Sequence, residues 1–419
     1  MTRRVTTQVA IVGAGPAGLV AALVLSRAGV GAVLVEKEAR AVIEQRPRAA
    51  LVEHRVVEFL RREGLAGGLL ARGFQHGWCD MVIGGETWRI DYGSLSGGFG
   101  HWVYPQQYLA ADFLTQLDAL GCESFFGETV HTLEDIGCRP RIRCRDLEVV
   151  CDFVLCCDGP NSLAAAAMPA HRGAGFRYPY DWLTAQVHVD RPVEAVVYAV
   201  HVGGFAGLMP RGGDQARLYL QVPPGGGLQP WNAHQVRREF AARTGGSAAV
   251  LPTISEVIET DVLRMHGRVN SAMRQGRMLV AGDAAHVLTP SGAKGLNLAI
   301  ADAADAAQSL IRWYRDGEDD GLSGYSRRRV REAWQVQEFS DQLLHLLHLP
   351  PVVGKEAGFH LRLRAERAER LSKPGAQAAA FAHLYAGSGQ GSDPRGPIAG
   401  PLQTRPPTGA IGIDPARNR

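Results

Sequence analysis

One stretch near the N-terminus restricts the fold more than any other: TQVAIVGAGPAGLVAALVLSRAGVGAVLVEKE, Thr7 to Glu38. Its apolar pattern predicts a strand over Gln8–Val12, a glycine turn, a helix over Pro16–Ala28 and a second strand over Ala32–Glu36, which is a βαβ unit. Gly13, Gly15 and Gly18 form GxGxxG at the strand-to-helix junction. The first permits the tight turn, the second lets the backbone approach a pyrophosphate, and the third lets helix and strand pack closely. The free N–H groups and positive dipole end of the helix then face phosphate oxygens. Glu36 ends the second strand about 20 residues on, where a carboxylate accepts hydrogen bonds from ribose hydroxyls. Strand, helix and acid all sit where a dinucleotide needs them. Ala17 and Lys37 join these residues as candidate cofactor contacts.

The rest of the chain alternates between two kinds of pattern. Val52–Gly64 is an amphipathic helix closed by glycine, Met81–Tyr92 a hairpin, and Gln106–Gly121 another helix. RIRCRD and EVVCDFVLCCDGPNS are strands that end at Asp158-Gly159. From Asp181 to Val222 strand follows strand, an antiparallel block distinct from the βαβ part. After Val269 the parallel pattern returns with RMLVAGDAAH, and helices dominate from Gly292 to about Leu349. The expected fold class is α/β. A Rossmann-like domain is assembled from 1–72, 97–177 and 265–300. An inserted antiparallel β-sheet substrate domain comes from 73–96 and 178–264. A C-terminal helical region over 301–386 and an irregular Gly/Pro/Ser-rich tail over 387–419 follow.

Composition removes several function classes. A net charge of +3 gives no basic stripe for a nucleic acid. The seven cysteines make no CxxC pair and no Cys/His cluster at zinc spacing, so no metal site is expected. An odd number of cysteines in a large chain suits a reducing compartment, and a cytoplasmic location is expected. The start lacks a signal-peptide shape, and the apolar run Gly18–Val35 is interrupted by Ser26, Arg27, Gly29 and Gly31, so no membrane span is expected.

Three stations, Gly13–Gly18, Cys157-Asp158-Gly159 and Gly282-Asp283, together resemble the flavin-dependent aromatic hydroxylases, the single-component group A flavoprotein monooxygenases. Within that family GDAAHVLTPSGAKGLNLA (from Gly282), RLYLQVP (from Arg217), YPYDWL (from Tyr178) and LSGG (from Leu95) are most similar to the para-hydroxybenzoate hydroxylase branch. The resemblance implies FAD reduced by NADPH or NADH, reaction with O2, and transfer of OH from a flavin C4a-hydroperoxide to the carbon beside a phenol oxygen. It also implies that the substrate is a small aromatic acid. The expected assembly is a homodimer. Among cofactor contacts it implies Arg46, Arg48 and Gln106, Asp158 in the middle station, Asp283 on the ribityl chain, and Leu296 and Asn297 at a helix start facing the flavin ring. Among substrate contacts it implies Tyr198 and Tyr385 as a proton path, a Pro290 carbonyl facing the phenol, Arg211 gripping a carboxylate, and Tyr219. A guanidinium suits that grip because it forms two parallel hydrogen bonds.

The chain also departs from the family. Met209 stands where the relatives carry a serine that helps hold the carboxylate, and Asn161, Ala165 and His266 replace nicotinamide-cofactor contacts, which leaves NADPH against NADH open. Met209 keeps open a substituted or amino-benzoate, or a larger phenolic. His286 is read as structural because no acid is paired with it at a recognisable spacing. Lys294 lies outside any GxxxxGK[ST] loop and is read as adding positive charge near the flavin. A halogenase of this fold is discounted for want of WxWxIP, and a non-catalytic FAD-binding scaffold is opposed by the retained PSGAKGLN loop.

Overall fold

A computed structural model describes residues 2–48, 50–168, 173–225, 231–245, 251–350 and 354–387. The expected irregular tail, beyond Gly387, lies outside the described residues. The βαβ opening forms as its periodicity requires. The first strand is longer than expected, Arg3–Val12, because its polar N-terminal half still pairs in parallel with Leu147–Cys156. Helix Pro16–Arg27 follows, with proline at its start, where the absent N–H costs nothing. The eight-stranded sheet around this unit has the main order Arg274–Gln275, Met278–Val280, Leu147–Cys156, Arg3–Val12, Ala32–Glu36, Glu123–Phe126. Its central pairings are parallel, and there Val9–Val12, Val33–Val35, Phe153–Cys156 and Met278–Val280 are continuous buried apolar runs, as expected of a sheet covered on both faces.

The second eight-stranded sheet contains His286–Val287, Ile254–Val269, Ala174–Val189, Gln215–Val222, Ala206–Gly212, Val196–Val200, Cys79–Ile83 and Glu86–Ile90 in that order. All its pairings are antiparallel except Val196–Val200 with Cys79–Ile83. The 16-residue strands Ala174–Val189 and Ile254–Val269 run past the expected junctions at 177/178 and 264/265. One long ribbon therefore reaches from the antiparallel sheet to the parallel one, and His286–Val287 adds to its near end.

Alternation gives this sheet two apolar faces. Val197, Ala206, Leu208, Leu218 and Leu220 pack under helix Ala233–Thr244 with Val236 and Phe240. Tyr198, Met209 and Tyr219 point the other way, toward the C-terminal helices. A three-stranded sheet of Leu51–Glu53, His101–Val103 and Phe74–His76 sits between the two layers. The long helices Lys294–Asp316 and Asp320–Leu347 close the parallel sheet, and Gly354–Ser372 and Ala376–Ala386 return over the Tyr198 face of the antiparallel sheet.

Candidate active site

The C-terminal ends of the parallel strands open into a cleft of about 360 Å³. Of the residues expected to contact a cofactor, Gly13, Gly15, Glu36, Lys37, Arg46, Arg48, Gln106 and Asp158 line it. The three glycines divide their work as the motif requires. Gly13 has φ +101°, and a Cβ there would overlap the Cys157 carbonyl; a Cβ on Gly18 would overlap the Gly13 carbonyl oxygen. Gly15 has nothing within 4 Å of a would-be Cβ, so its backbone faces open space. Ala17 and Gly18 are buried in the helix wall behind the cleft and pack instead of lining it. The Glu36 carboxylate accepts from Ala14 N at 2.6 Å and from Glu38 N at 2.8 Å, so it also braces the glycine turn. Asp158 Oδ2 accepts from Leu163 N at 2.9 Å, while its buried Oδ1 has no partner among the described residues. Burial raises the Asp158 carboxyl above the ordinary range. Sequence reasoning missed Glu128, Thr129 and Val130 on the cleft wall, because they follow an edge strand without any motif.

The Gly282-Asp283 station lies outside the residues lining that cleft. It forms a single 3-10 turn over Gly282–Ala284 after strand Met278–Val280. Asp283 is exposed there, while Gly282 N donates to Asp302 Oδ2 at 2.9 Å. The loop then reaches Pro290, whose carbonyl accepts from Ala293 N at 3.1 Å and keeps a second lone pair. Gly292 (φ +70°) and Ala293 (φ +55°) are both left-handed, and Ala293 is the residue from which helix Lys294–Asp316 starts. A non-glycine residue in that region costs of order 1–3 kcal/mol and is kept where surroundings enforce it. Leu296 and Asn297 occupy the first turn, and the Leu296 N–H has no intrahelical acceptor. The Asn297 side chain is fully committed: its Oδ1 accepts from Glu53 N, and its Nδ2 donates to Leu51 O and Ala293 O.

Two expectations about this loop are corrected. His286 does have an acid partner: its Nε2 lies 2.6 Å from Asp302 Oδ2, sixteen residues on and inside the following helix. That spacing is invisible until the helix folds back on the loop. Lys294 is not an unpaired charge. It is buried and paired with Glu53 at 2.7 Å. Burial alone would raise the Glu53 carboxyl, but Lys294 and Arg55 hold it down at about 2, so the lysine's charge is locally balanced.

The face of the antiparallel sheet that carries Tyr198 brings together the remaining expected residues. Tyr198 and Tyr219 flank Gly207 in register across three strands, and Met209 opposes Arg217 two residues along. Arg211 follows two residues after Met209, at an irregularity where Pro210 pairs with Ala216 and Gly212 with Gln215 and Arg211 has no partner in register. The Tyr198 and Tyr385 hydroxyls are 2.8 Å apart although their residues are 187 positions distant. Both rings are buried, and burial pushes both phenols up, so they stay protonated. Arg211 is 5% exposed and forms no ion pair with the described residues. Its guanidinium donates to the Arg48 carbonyl and, at 3.4 Å, to Gln107 Oε1. Burial, with Arg217 nearby, lowers its pKa to about 10.

A second buried cluster touches Tyr385 and was not anticipated. The Tyr92 hydroxyl lies 3.0 Å from Nδ1 of both His76 and His101, and its ring centroid is 4.7 Å from that of Tyr385. His76 and His101 are cross-strand partners, and Glu53 continues the row. Burial holds both histidines neutral, His76 at about 4. These residues come from separate segments with no shared motif. Among the described residues no group of His, Cys, Asp or Glu is arranged to hold a metal, and no helix is long and apolar enough to cross a membrane.

The FAD binding domain family matches residues 6–340. The p-hydroxybenzoate hydroxylase of Acinetobacter baylyi is 30% identical over 82% of this chain and 86% of its own length. The 6-methylpretetramide 4-monooxygenase of Streptomyces rimosus is 28% identical over 79% of this chain, and the match spans 58% of that protein. The crystal structure of p-nitrophenol 4-monooxygenase from Pseudomonas putida has the same fold, with a TM-score of 0.75, 19% identity, and coverage of 91% of this chain and 99% of that one. Glycine turn, middle station, GD loop and family match agree, and the chain belongs to the FAD-binding aromatic hydroxylases, a family of flavoprotein monooxygenases.

Proposed function

We propose that this monooxygenase hydroxylates a 4-hydroxybenzoate-like aromatic acid ortho to its phenol, using O2 and reducing equivalents from NADPH or NADH. The cleft suits FAD. Gly15 leaves room beside the helix N-terminus, Arg46, Arg48 and Lys37 supply cationic charge, and Asp158 Oδ1 is an unfilled acceptor. Glu36 retains lone pairs for a ribose, and Leu296 and Asn297 stand at a helix start whose positive end favours negative charge nearby. The bound flavin would supply activated oxygen to the ring.

The observation that carries the substrate class is Arg211. A guanidinium buried to this degree without a carboxylate partner calls for an anionic ligand, and a benzoate carboxylate matches its two-pronged donors. The tyrosine pair supports the phenol. Tyr198 takes the phenol proton at its oxygen as it hands its own to Tyr385, and Tyr385 gives up its own in turn toward solvent, so both tyrosines end neutral, the substrate is left as a phenolate, and the ring carbon beside it becomes the better nucleophile. The free lone pair on the Pro290 carbonyl adds an acceptor for the phenol. Met209 favours a second reading, a substituted or amino-benzoate, or a larger phenolic, because it removes a hydroxyl donor and adds a bulky thioether where relatives carry serine. A cytoplasmic homodimer is part of the proposal.

A panel of hydroxy- and aminobenzoates, scored for coupled NAD(P)H consumption and product mass, tests this. A carboxylated phenol should gain one oxygen. Oxygen gained only by phenols that lack a carboxylate would remove Arg211 from its role.

A further inference from the structure

The pinning of Lys294 has a consequence for the tyrosine pair. Its ammonium group has three N–H donors, and all three are used: Glu53 Oε1 at 2.7 Å, Leu384 O at 2.7 Å and Tyr385 O at 2.8 Å. The two carbonyls belong to the last turn of helix Ala376–Ala386, where i+4 donors run out and Leu384 O takes only a long bond of 3.4 Å from Gly387 N. A cation at a helix C-terminus is favourable on dipole grounds as well. Gly387 ends the helix at φ +75°, and a Cβ there would overlap Glu53 Oε2. The carboxylate is therefore wedged against the helix end from one side while the ammonium holds it from the other.

The clamp is anchored deep in the molecule. Glu53 also pairs with Arg55 at 2.8 Å, Arg55 with Glu332 at 2.6 Å, and Glu332 with Arg329. Arg329 reaches Asp302 at 2.6 Å, and Asp302 accepts from Gly282 N. One alternating chain of charge thus runs from the Tyr385 backbone to the Gly282-Asp283 turn. Truncating one member of such a buried pair leaves the other uncompensated, so the chain has few alternative arrangements.

We propose that Lys294 is a positioning residue: through the backbone of Tyr385 it fixes that hydroxyl against Tyr198. This rests on the role given to the tyrosine pair under the proposed function. The geometry gives the reason. A hydroxyl contact of 2.8 Å is lost once the atoms separate beyond about 3.5 Å, so a slip of less than 1 Å in the helix end breaks the proton path. The lysine's charge is balanced by an ionised Glu53, which leaves its grip on the backbone as what it contributes to the site.

The test uses full-length, FAD-loaded protein with 3-fluorotyrosine at position 385, followed by 19F NMR without substrate. Lys294→Met should shift or broaden the resonance, and Lys294→Arg should restore most of it. If Lys294→Met does not fold, Gly387→Ala disturbs the same clamp from the Glu53 side and should move the signal likewise. A resonance unmoved in whichever of these variants folds overturns the proposal. Ionisation of bound 4-hydroxybenzoate, read by ultraviolet difference spectra, gives the second arm. Lys294→Met should lower the phenolate fraction severalfold at fixed pH, and should add nothing in a Tyr385→Phe background. Additive effects would mean that Lys294 acts elsewhere, and would overturn it. If Tyr385→Phe leaves the bound phenol unchanged, the proton-path reading fails and takes this inference with it. An unmoved resonance beside an intact Tyr385→Phe effect sinks the inference alone.

Discussion

At the scale of single residues, charge without a counter-charge is the most informative feature. Arg211 is buried, held by carbonyl and amide oxygens only, and depressed to about 10 by burial. A hydrogen bond to a charged group is worth about 1.5–3 kcal/mol. Arg211→Met should therefore weaken 4-hydroxybenzoate binding by about 10- to 100-fold, with FAD affinity retained. Titration of the flavin absorbance change with 4-hydroxybenzoate measures this. An unchanged Kd would mean that the carboxylate is held elsewhere. Arg211, Tyr198 and Met209 were legible as candidates because they sit in strand patterns that resemble a known family. Tyr92, His76 and His101 were not, since a buried histidine carries no signature that separates it from a surface one.

At the scale of elements, the glycine turn separates folding from binding. A Cβ at Gly18 meets the backbone of Gly13, whereas one at Gly15 meets nothing within 4 Å. Gly18→Ala should destabilise the protein by about 1–3 kcal/mol or more, because neither backbone can yield cheaply. Gly15→Ala should melt within a degree or two of wild type without cofactor, yet bind FAD more weakly, since its methyl occupies the space reserved for the phosphates. Thermal melts of apo protein beside FAD fluorescence titrations separate the two. Equal losses in both measurements for Gly15→Ala would refute the division. The same element shows why the βαβ unit was readable at once: its determinants are local, each within a few residues of the next. The long ribbon of Ala174–Val189 and Ile254–Val269 was not, because its ends pair with segments distant in sequence and override the local pattern at 177/178.

At the scale of the whole molecule, buried neutral histidines set the acid limit. Burial depresses His76 to about 4 and His348 to about 3, and pushes His101 down as well. His348 accepts from Trp182 Nε1 at 2.9 Å and donates from Nδ1 to Leu344 O, so the neutral ring is bonded on both sides. An unfolded histidine titrates near ~6.5. The stability that these neutral rings contribute is fully present above ~6.5 and is lost as pH falls toward 4, because the unfolded chain then binds protons that the folded one excludes. Each adds a slope of up to about 1.4 kcal/mol per pH unit in that window. Melting temperatures measured from pH 7.5 to 5 should therefore fall with pH. His348→Phe, which keeps the stack on Tyr180, should flatten the slope while lowering stability at pH 7.5. A slope identical to wild type would show that His348 titrates freely.

What the chain determined by itself is the cofactor lobe and the reaction class. The glycine turn, its acid and the GD station are short-range patterns, and short-range patterns survive without knowledge of the fold. The resemblance had named Tyr198 and Tyr385 together, and the fold brings their hydroxyls within 2.8 Å across 187 residues. Tertiary structure alone gave His286 its acid and set Lys294 against Glu53 and a distant helix end. Those pairings depend on where helices return over a sheet, which is governed by burial of apolar faces far apart in sequence and leaves no local trace in the polar residues brought together.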